Sequence, residues 1–222
     1  MPLDRAAGWL GRFTAAHGEV SLVAAGSGEV RLTAEDGALA TWSCGGRDLL
    51  AGAGPGSPLQ AEEVLDRLTA PRTALVLLLR RGGAVAAVLA SGRTGGGPGV
   101  AAPARVLDAR VRTARVQSRT AAGGWSQQRF ARRRAGQAAG LARDAAATAS
   151  RVWRAHVDAA DLLATGGDRG LLEDCLRQLE PGLGRVAGLP RQDVALPADP
   201  RRRVLDAVAG DVGALRVEVT DP

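Results

Sequence analysis

Gly123 and Gly124 are followed by Trp125, Ser126 and two adjacent glutamines, Gln127 and Gln128, and then by Arg129-Phe130-Ala131-Arg132-Arg133-Arg134. Glycine lets a backbone reach conformations and close approaches that a Cβ would forbid. A glutamine side chain donates and accepts hydrogen bonds but does not ionise. An amide so placed can orient a water molecule and cannot shuttle protons. The arginines beside it are planar, permanently charged forks that grip phosphate in bidentate fashion. The chemistry open to this segment is attack of a positioned water on an ester carried by RNA. A plain strand-to-helix turn with Ser126 as its N-cap satisfies the same pattern without any chemistry.

Charge along the chain favours the polyanion. Between Ala101 and Arg154 there are twelve arginines and two acids, Asp108 and Asp144, while the whole chain carries +6, so the block holds +10 and the remainder −4. A basic block inside an otherwise acidic protein is the footprint of a polyanionic partner. Acids at i+4, which would pair these arginines along a solvated helix, are nearly absent. All 29 basic residues are arginine, and lysine, asparagine, isoleucine and tyrosine do not occur, the mark of a GC-rich coding sequence.

Other chemistries find little support. Cys44 and Cys175 lack neighbours at metal-ligand spacing, so two idle thiols in a reducing compartment are expected and no metal. Gly52-Ala-Gly-Pro-Gly56 lacks the Lys-Ser/Thr of a phosphate loop, and no cofactor is expected. His17 and His156 stand alone, without a nucleophile in triad-like context. Met1-Pro-Leu-Asp-Arg5 does not open a long apolar signal segment, and the apolar run Ala74–Leu79 is far short of a membrane span. A cytoplasmic protein that does not enter membranes is the expectation.

The elements that must position the glutamines follow from periodicity and turn residues. Residues 1–58 read as a small α+β module: a helix over Leu3–Ala16 with Trp9 and Phe13 on one face, then strands at Val20–Ala24, Glu29–Thr33 and Ala38–Trp42. The Gly/Pro-rich stretch Ala51–Pro58 is its linker. Residues 59–222 read as the second domain. It begins with a helix, Leu59–Leu68, and a hairpin of Ala74–Leu79 with Ala84–Ser91 across Arg80–Gly83. Ala104–Gln117 reads as a long strand with a cationic face. A helix is expected from Ser126 to about Ala160, its apolar stripe made by Phe130, Ala138, Leu141, Ala145, Val152 and Trp153. Arginines crowding its first turns would oppose the helix dipole, which a bound anion would explain. A strand at Leu162–Thr165, a helix at Leu171–Leu179, a strand near Arg185–Leu189, a helix near Arg201–Val208 and a last strand, Ala214–Thr220, complete an α/β fold around a mixed sheet.

Gly123 to Arg134 resembles the catalytic loop and following helix of class I peptide-chain release factors, where Gly-Gly-Gln precedes a serine and an Arg-Phe-Ala-Arg helix start. It is most similar to the bacterial, actinobacterial branch of the Vms-like release factors, whose loop places glutamine after Gly-Gly-Ser. The resemblance covers Pro71 to Pro222, with weaker support from Thr165-Gly-Gly-Asp-Arg169. It implies a ribonuclease-H-like α/β domain. It also implies a peptidyl-tRNA hydrolase that rescues stalled ribosomes, with the ribosome, at its peptidyl transferase centre, and peptidyl-tRNA as partners. Trp125 stands where the classical factors have glutamine. The implied catalytic amide is therefore Gln127, with Gln128 second, on a loop shaped by Gly123 and Gly124. Arg119, Trp125, Arg129, Arg132, Arg133 and Arg134 are the implied RNA contacts. Nothing corresponds to a codon-reading domain, and two cysteines exclude the zinc finger of the eukaryotic relatives. Cleavage of the tRNA near its 3′ end, or RNA binding without catalysis, are the other readings of the same residues.

Overall fold

With no isoleucine or tyrosine in the chain, its strands rely on valine, leucine, threonine and alanine, residues that fit a pleated and half-buried surface less well when unbranched. The computed structural model describes residues 1–45, 49–50, 52–93, 101–114 and 125–220, with the backbone alone at 27, 93, 101–103 and 125–131. In chain order the first elements are α1 (Ala6–His17), β1 (Val20–Ala24), β2 (Val30–Ala34), β3 (Leu39–Cys44), β4 (Pro58–Leu59) and α2 (Ala61–Thr69). Then come β5 (Arg72–Arg80), β6 (Gly83–Arg93), β7 (Ala101–Thr113) and the long α3 (Trp125–Trp153). The rest are β8 (Leu162–Gly167), α4 (Arg169–Arg177), β9 (Arg191–Asp193), α5 (Arg202–Val208) and β10 (Leu215–Thr220).

Two units contain these elements. One comprises Met1–Arg72, Ala90–Arg105 and Gly210–Pro222, the other Thr73–Leu89 and Val106–Ala209. The first holds an antiparallel sheet in the order β10-β3-β2-β1-β4. Leu10 and Phe13 of α1 and Val64 and Leu68 of α2 pack with Leu22, Leu32, Trp42 and Leu215 of its strands. Trp9 stacks on Phe13 with centroids 5.0 Å apart, the i,i+4 pair that the sequence predicts.

The second sheet runs β7-β6-β5-β8-β9, with β8 parallel to β5 and β9 parallel to β8. The fold is α/β, as expected. Every residue from Ala74 to Leu79 is buried, so β5 reads as a continuous apolar run because neither of its faces meets water. Leu75, Leu77 and Leu79 point to the side where Leu141, Ala145, Ala149, Val152 and Trp153 of α3 pack, together with Ala84, Ala86 and Val88 of β6.

Three expectations are corrected. The last strand does not join the second sheet: β10 pairs with β3, Val217 opposite Trp42. The chain near Arg185–Leu189 is not a strand but a 3₁₀ stretch, Pro181–Gly188, because Pro181 opens a helical turn and supplies no N–H; the strand comes after Pro190, at β9. The long helix ends at Trp153, seven residues early, and a short 3₁₀ turn, Val157–Ala159, follows. No glycine or proline marks that end. It is set by tertiary contact: the buried Trp153 indole N–H donates to Ala87 O at 3.0 Å, and the chain must turn at once so that Asp161 N can reach Thr73 O.

Where β8 ends, two glycines are required. Gly167 has φ +121°, and a Cβ there would stand 2.0 Å from Leu79 O; at Gly166 it would stand 2.6 Å from Val194 O. Gly167→Ala is expected to destabilise the second unit by about 1–3 kcal/mol from backbone strain alone, with the overlap added. A thermal unfolding curve unchanged from wild type would contradict this reading of the strand end.

Candidate functional site

The segment that carries the sequence motif is bracketed by β7 and α3, and both are tightly held. At the end of β7, Ala114 N donates to Gly82 O at 3.1 Å, and the same carbonyl accepts from Arg201 Nη1 at 3.0 Å. Gly83 admits no side chain: a Cβ would lie 2.3 Å from Arg112 O. Residue 114 therefore leaves the sheet beside the β5–β6 turn. That is the edge where β5 ends and where Asp168, just past the parallel β8, bonds Leu79 O. Open α/β sheets place their ligand sites beyond the carboxyl ends of parallel strands.

Gly123, Gly124 and Arg119 lie outside the described residues. Gln127 and Gln128 are in α3, which already begins at Trp125. The helix expected from Ser126 starts within one residue of it, so the glutamines stand at a helix start and not on the loop itself. The reason is local: from Trp125 to Ala135 there is no glycine or proline, and glutamine, arginine and alanine are good helix formers. The side chains of Trp125, Gln127, Gln128 and Arg129 are not described. Arg132 and Arg133 are exposed and Arg134 is half-buried. These three arginines begin two turns inside the helix, whereas the dipole acts over its first turn only. They do not oppose it, so the helix dipole does not call for a bound anion beside them.

Burial along α3 supplies a stronger observation. Ala138 is the first described residue of the helix that touches the core, and full burial begins at Leu141. Thirteen residues from Trp125 to Ala138, at 1.5 Å each, amount to about 20 Å of helix. The amide-bearing first turn of the helix thus lies about 20 Å along its axis from Ala138.

The expected cationic face of β7 is only partly formed. Successive side chains of a strand point to opposite faces, so Arg105 is out of phase with Arg110 and Arg112, and Arg115 lies outside the described residues. Asp108, Arg110 and Arg112 line a cavity of about 390 Å³ with Thr148 and Arg151 of α3. Sequence reasoning missed this grouping, since strand and helix residues forty apart carry no shared local signal. Among the described arginines of the basic block, Arg154 alone is in an ion pair, with Glu180.

The Thr165-Gly-Gly-Asp-Arg169 segment forms the end of β8 and the start of α4. Asp168 caps α4, its Oδ1 accepting from Leu171 N at 3.1 Å. Buried Thr165 donates to Asp193 Oδ1 of β9 at 3.0 Å, and a cavity of about 480 Å³ opens there between Arg169, Leu172 and Arg191.

The lone titratable groups behave as structural ones. His17 Nδ1 lies 2.9 Å from Asp36 Oδ2. The Asp36 carboxyl is held below the usual range, first by the Ala38 N–H and then by His17. Cys44 and Cys175 are buried, and Cys44 Sγ donates to Gly213 O at 3.1 Å. Burial pushes the Cys175 thiol up to about 12. An unfolded thiol ionises near 8.5, so between about pH 9 and 12 the unfolded chain loses a proton that the folded one keeps. Stability should therefore fall across that window by up to about 1.4 kcal/mol per pH unit, and Cys175→Ala should remove that component of the slope. Identical pH profiles for the two proteins would contradict it. Among the described residues no helix is long and apolar enough to cross a membrane.

In this chain a strand and a long helix on an α/β sheet bracket the Gly-Gly segment, and the class of protein is that of the release factors. The chain belongs to the Actinobacteria/chloroflexi VLRF1 release factor family, whose model matches residues 72–218, about two thirds of its length. No curated protein matches it significantly.

Proposed function

We propose that this protein is a ribosome-rescue peptidyl-tRNA hydrolase, which frees nascent chains from stalled ribosomes without reading a stop codon. The observation that carries the reading is the family match across residues 72–218, a span that includes the Gly-Gly-Trp-Ser-Gln-Gln segment. Its domain is read as ribonuclease-H-like, in support of which the second sheet has the order β7-β6-β5-β8-β9 with β8 and β9 parallel to β5. In place of a division at residue 58, the unit of Thr73–Leu89 and Val106–Ala209 is taken as the hydrolase domain, and the unit of Met1–Arg72, Ala90–Arg105 and Gly210–Pro222 as an accessory module. The work is cytoplasmic, where ribosomes are.

In this reading α3 is the arm that reaches the peptidyl transferase centre. Gln127, backed by Gln128, positions the water that attacks the ester carbonyl between peptide and terminal ribose. Water is a weak nucleophile, and holding it in line offsets much of the entropy of a bimolecular step. The first N–H groups of an α-helix have no intrahelical acceptor, so the start of α3 also offers donors to the developing oxyanion. Gly123 and Gly124 let the backbone approach the tRNA end closely. Arg119, Arg129, Arg132, Arg133 and Arg134 hold RNA phosphates, and Trp125 stacks on a base. Ribosomal RNA completes the site, so the free protein is nearly inert on a simple ester.

Release from stalled complexes should proceed at one rate whether the A site shows a sense codon, a stop codon or no message. Release confined to stop codons would reject the reading.

A further inference from the structure

We propose that the cleft between β7 and the carboxyl-terminal turns of α3 is a second RNA-binding site, one that grips the phosphodiester backbone far from the hydrolytic segment. The inference rests on the reading of this chain as a ribosome-acting factor, and it adds a contact that the motif does not contain. The cleft has a volume of about 390 Å³ and is lined by Asp108, Arg110, Arg112, Thr148, Arg151 and Val152. Three guanidinium groups and one carboxylate line it, a net charge of +2 shared between strand and helix. Arg110, Arg112 and Arg151 are all exposed, and among the described residues none of the three is in an ion pair.

The rigid parts explain why these charges are held apart for a ligand. Arg110 and Arg112 project from the same face of an edge strand, two residues or about 6.7 Å apart. Thr148, Arg151 and Val152 follow i, i+3, i+4 spacing on one side of the helix. Val152 is buried and Trp153 beside it is pinned to Ala87 O at 3.0 Å, so the helix side of the cleft is anchored to the core. Buried Thr148 Oγ1 donates to Asp144 O at 2.7 Å, which satisfies its hydroxyl within the helix. Three guanidinium forks that outnumber the single carboxylate, Asp108, are suited to phosphate oxygens.

The distance to the motif makes this a separate contact. Arg151 follows Gln127 by twenty-four residues of continuous helix, about 36 Å along its axis. An RNA strand held here is not the tRNA end at Gln127. It is either another part of the tRNA or ribosomal RNA flanking the entry path, and both present the same phosphodiester chemistry.

The test uses the full chain with Arg110→Gln, Arg112→Gln and Arg151→Gln combined. A charge-matched control carries Arg5→Gln, Arg31→Gln and Arg203→Gln, all at exposed positions. Binding to deacylated tRNA and to large ribosomal subunits is measured across a salt series. The cleft variant should bind at least one of these about tenfold or more weakly, with the slope of log K against log salt flattened by about 2, or roughly 0.7–0.9 per lost phosphate contact. The probe affected identifies which RNA fills the cleft. The control should keep the wild-type slope. Wild-type affinity and slope for both RNAs, or an equal loss in the control, would overturn the proposal. Should the triple variant not fold, Arg110→Gln with Arg112→Gln is read the same way, with a flattening of about 1.4–1.8. These measurements read binding alone, so they stand whether or not the chain hydrolyses the ester.

Discussion

Gln127→Ala should slow nascent-chain release by about 10²–10³-fold, the usual cost of removing one group that stabilises the transition state, while leaving ribosome binding as it was. The side chain is uncharged, so its loss does not alter the electrostatics that bring the protein to RNA. It lies in the first turn of α3, ten residues or more before the fully buried stretch that begins at Leu141. Gln128→Ala should be milder, because adjacent helical residues point about 100° apart and only one of them can face the ester. Release measured in single turnover, beside co-sedimentation with ribosomes, separates the two effects. If both single variants and the double release peptide at the wild-type rate, the chain does not use these amides for catalysis.

Trp153→Ala should be the most damaging single change to the fold. The side chain is fully buried among Ala86, Val88, Ala149 and Val157, and truncation of a buried tryptophan costs about 3–5 kcal/mol. At roughly 2–4 °C per kcal/mol for a chain of this size, the midpoint should drop by about 6–20 °C. Trp153→Phe keeps most of the apolar contact and strands the Ala87 carbonyl, which costs about 1–3 kcal/mol. Because Trp153 ends the arm that bears Gln127, both variants should also weaken release below their melting temperatures. A midpoint within 2 °C of wild type for Trp153→Ala, within the scatter of a neutral substitution, would show that α3 is anchored elsewhere.

The contrast between Trp153 and Gln127 shows what the sequence makes legible. Strands β1 to β3, the β5–β6 hairpin and α1 are marked locally, by turn residues and apolar periodicity, and they appear where those signals put them. The end of α3 is not marked locally, since it depends on an indole reaching a carbonyl sixty-six residues away. The destination of β10 is equally hidden. Its alternating residues predict a strand, but nothing in them tells that the open edge awaiting it is β3, some 175 residues earlier. Likewise Arg110 and Arg151 each read as surface charge, and only folding brings them to one cleft. The segment Gly123 to Arg134, proposed to be hydrolytic, is the reverse case. Its residue types carry the resemblance in a run of a dozen positions, while Gly123 and Gly124 lie outside the described residues.

The central claim is hydrolysis of the ester that joins peptide to tRNA. Its most direct test is to add the full chain to large ribosomal subunits that hold labelled peptidyl-tRNA, and to map both products. The account predicts free peptide and a tRNA whose 3′-terminal adenosine is intact and can be charged again, with release by Gln127→Ala slowed about 10²–10³-fold. Peptide that stays on the tRNA at saturating protein would contradict it, and so would peptide freed together with a tRNA shortened at its 3′ end.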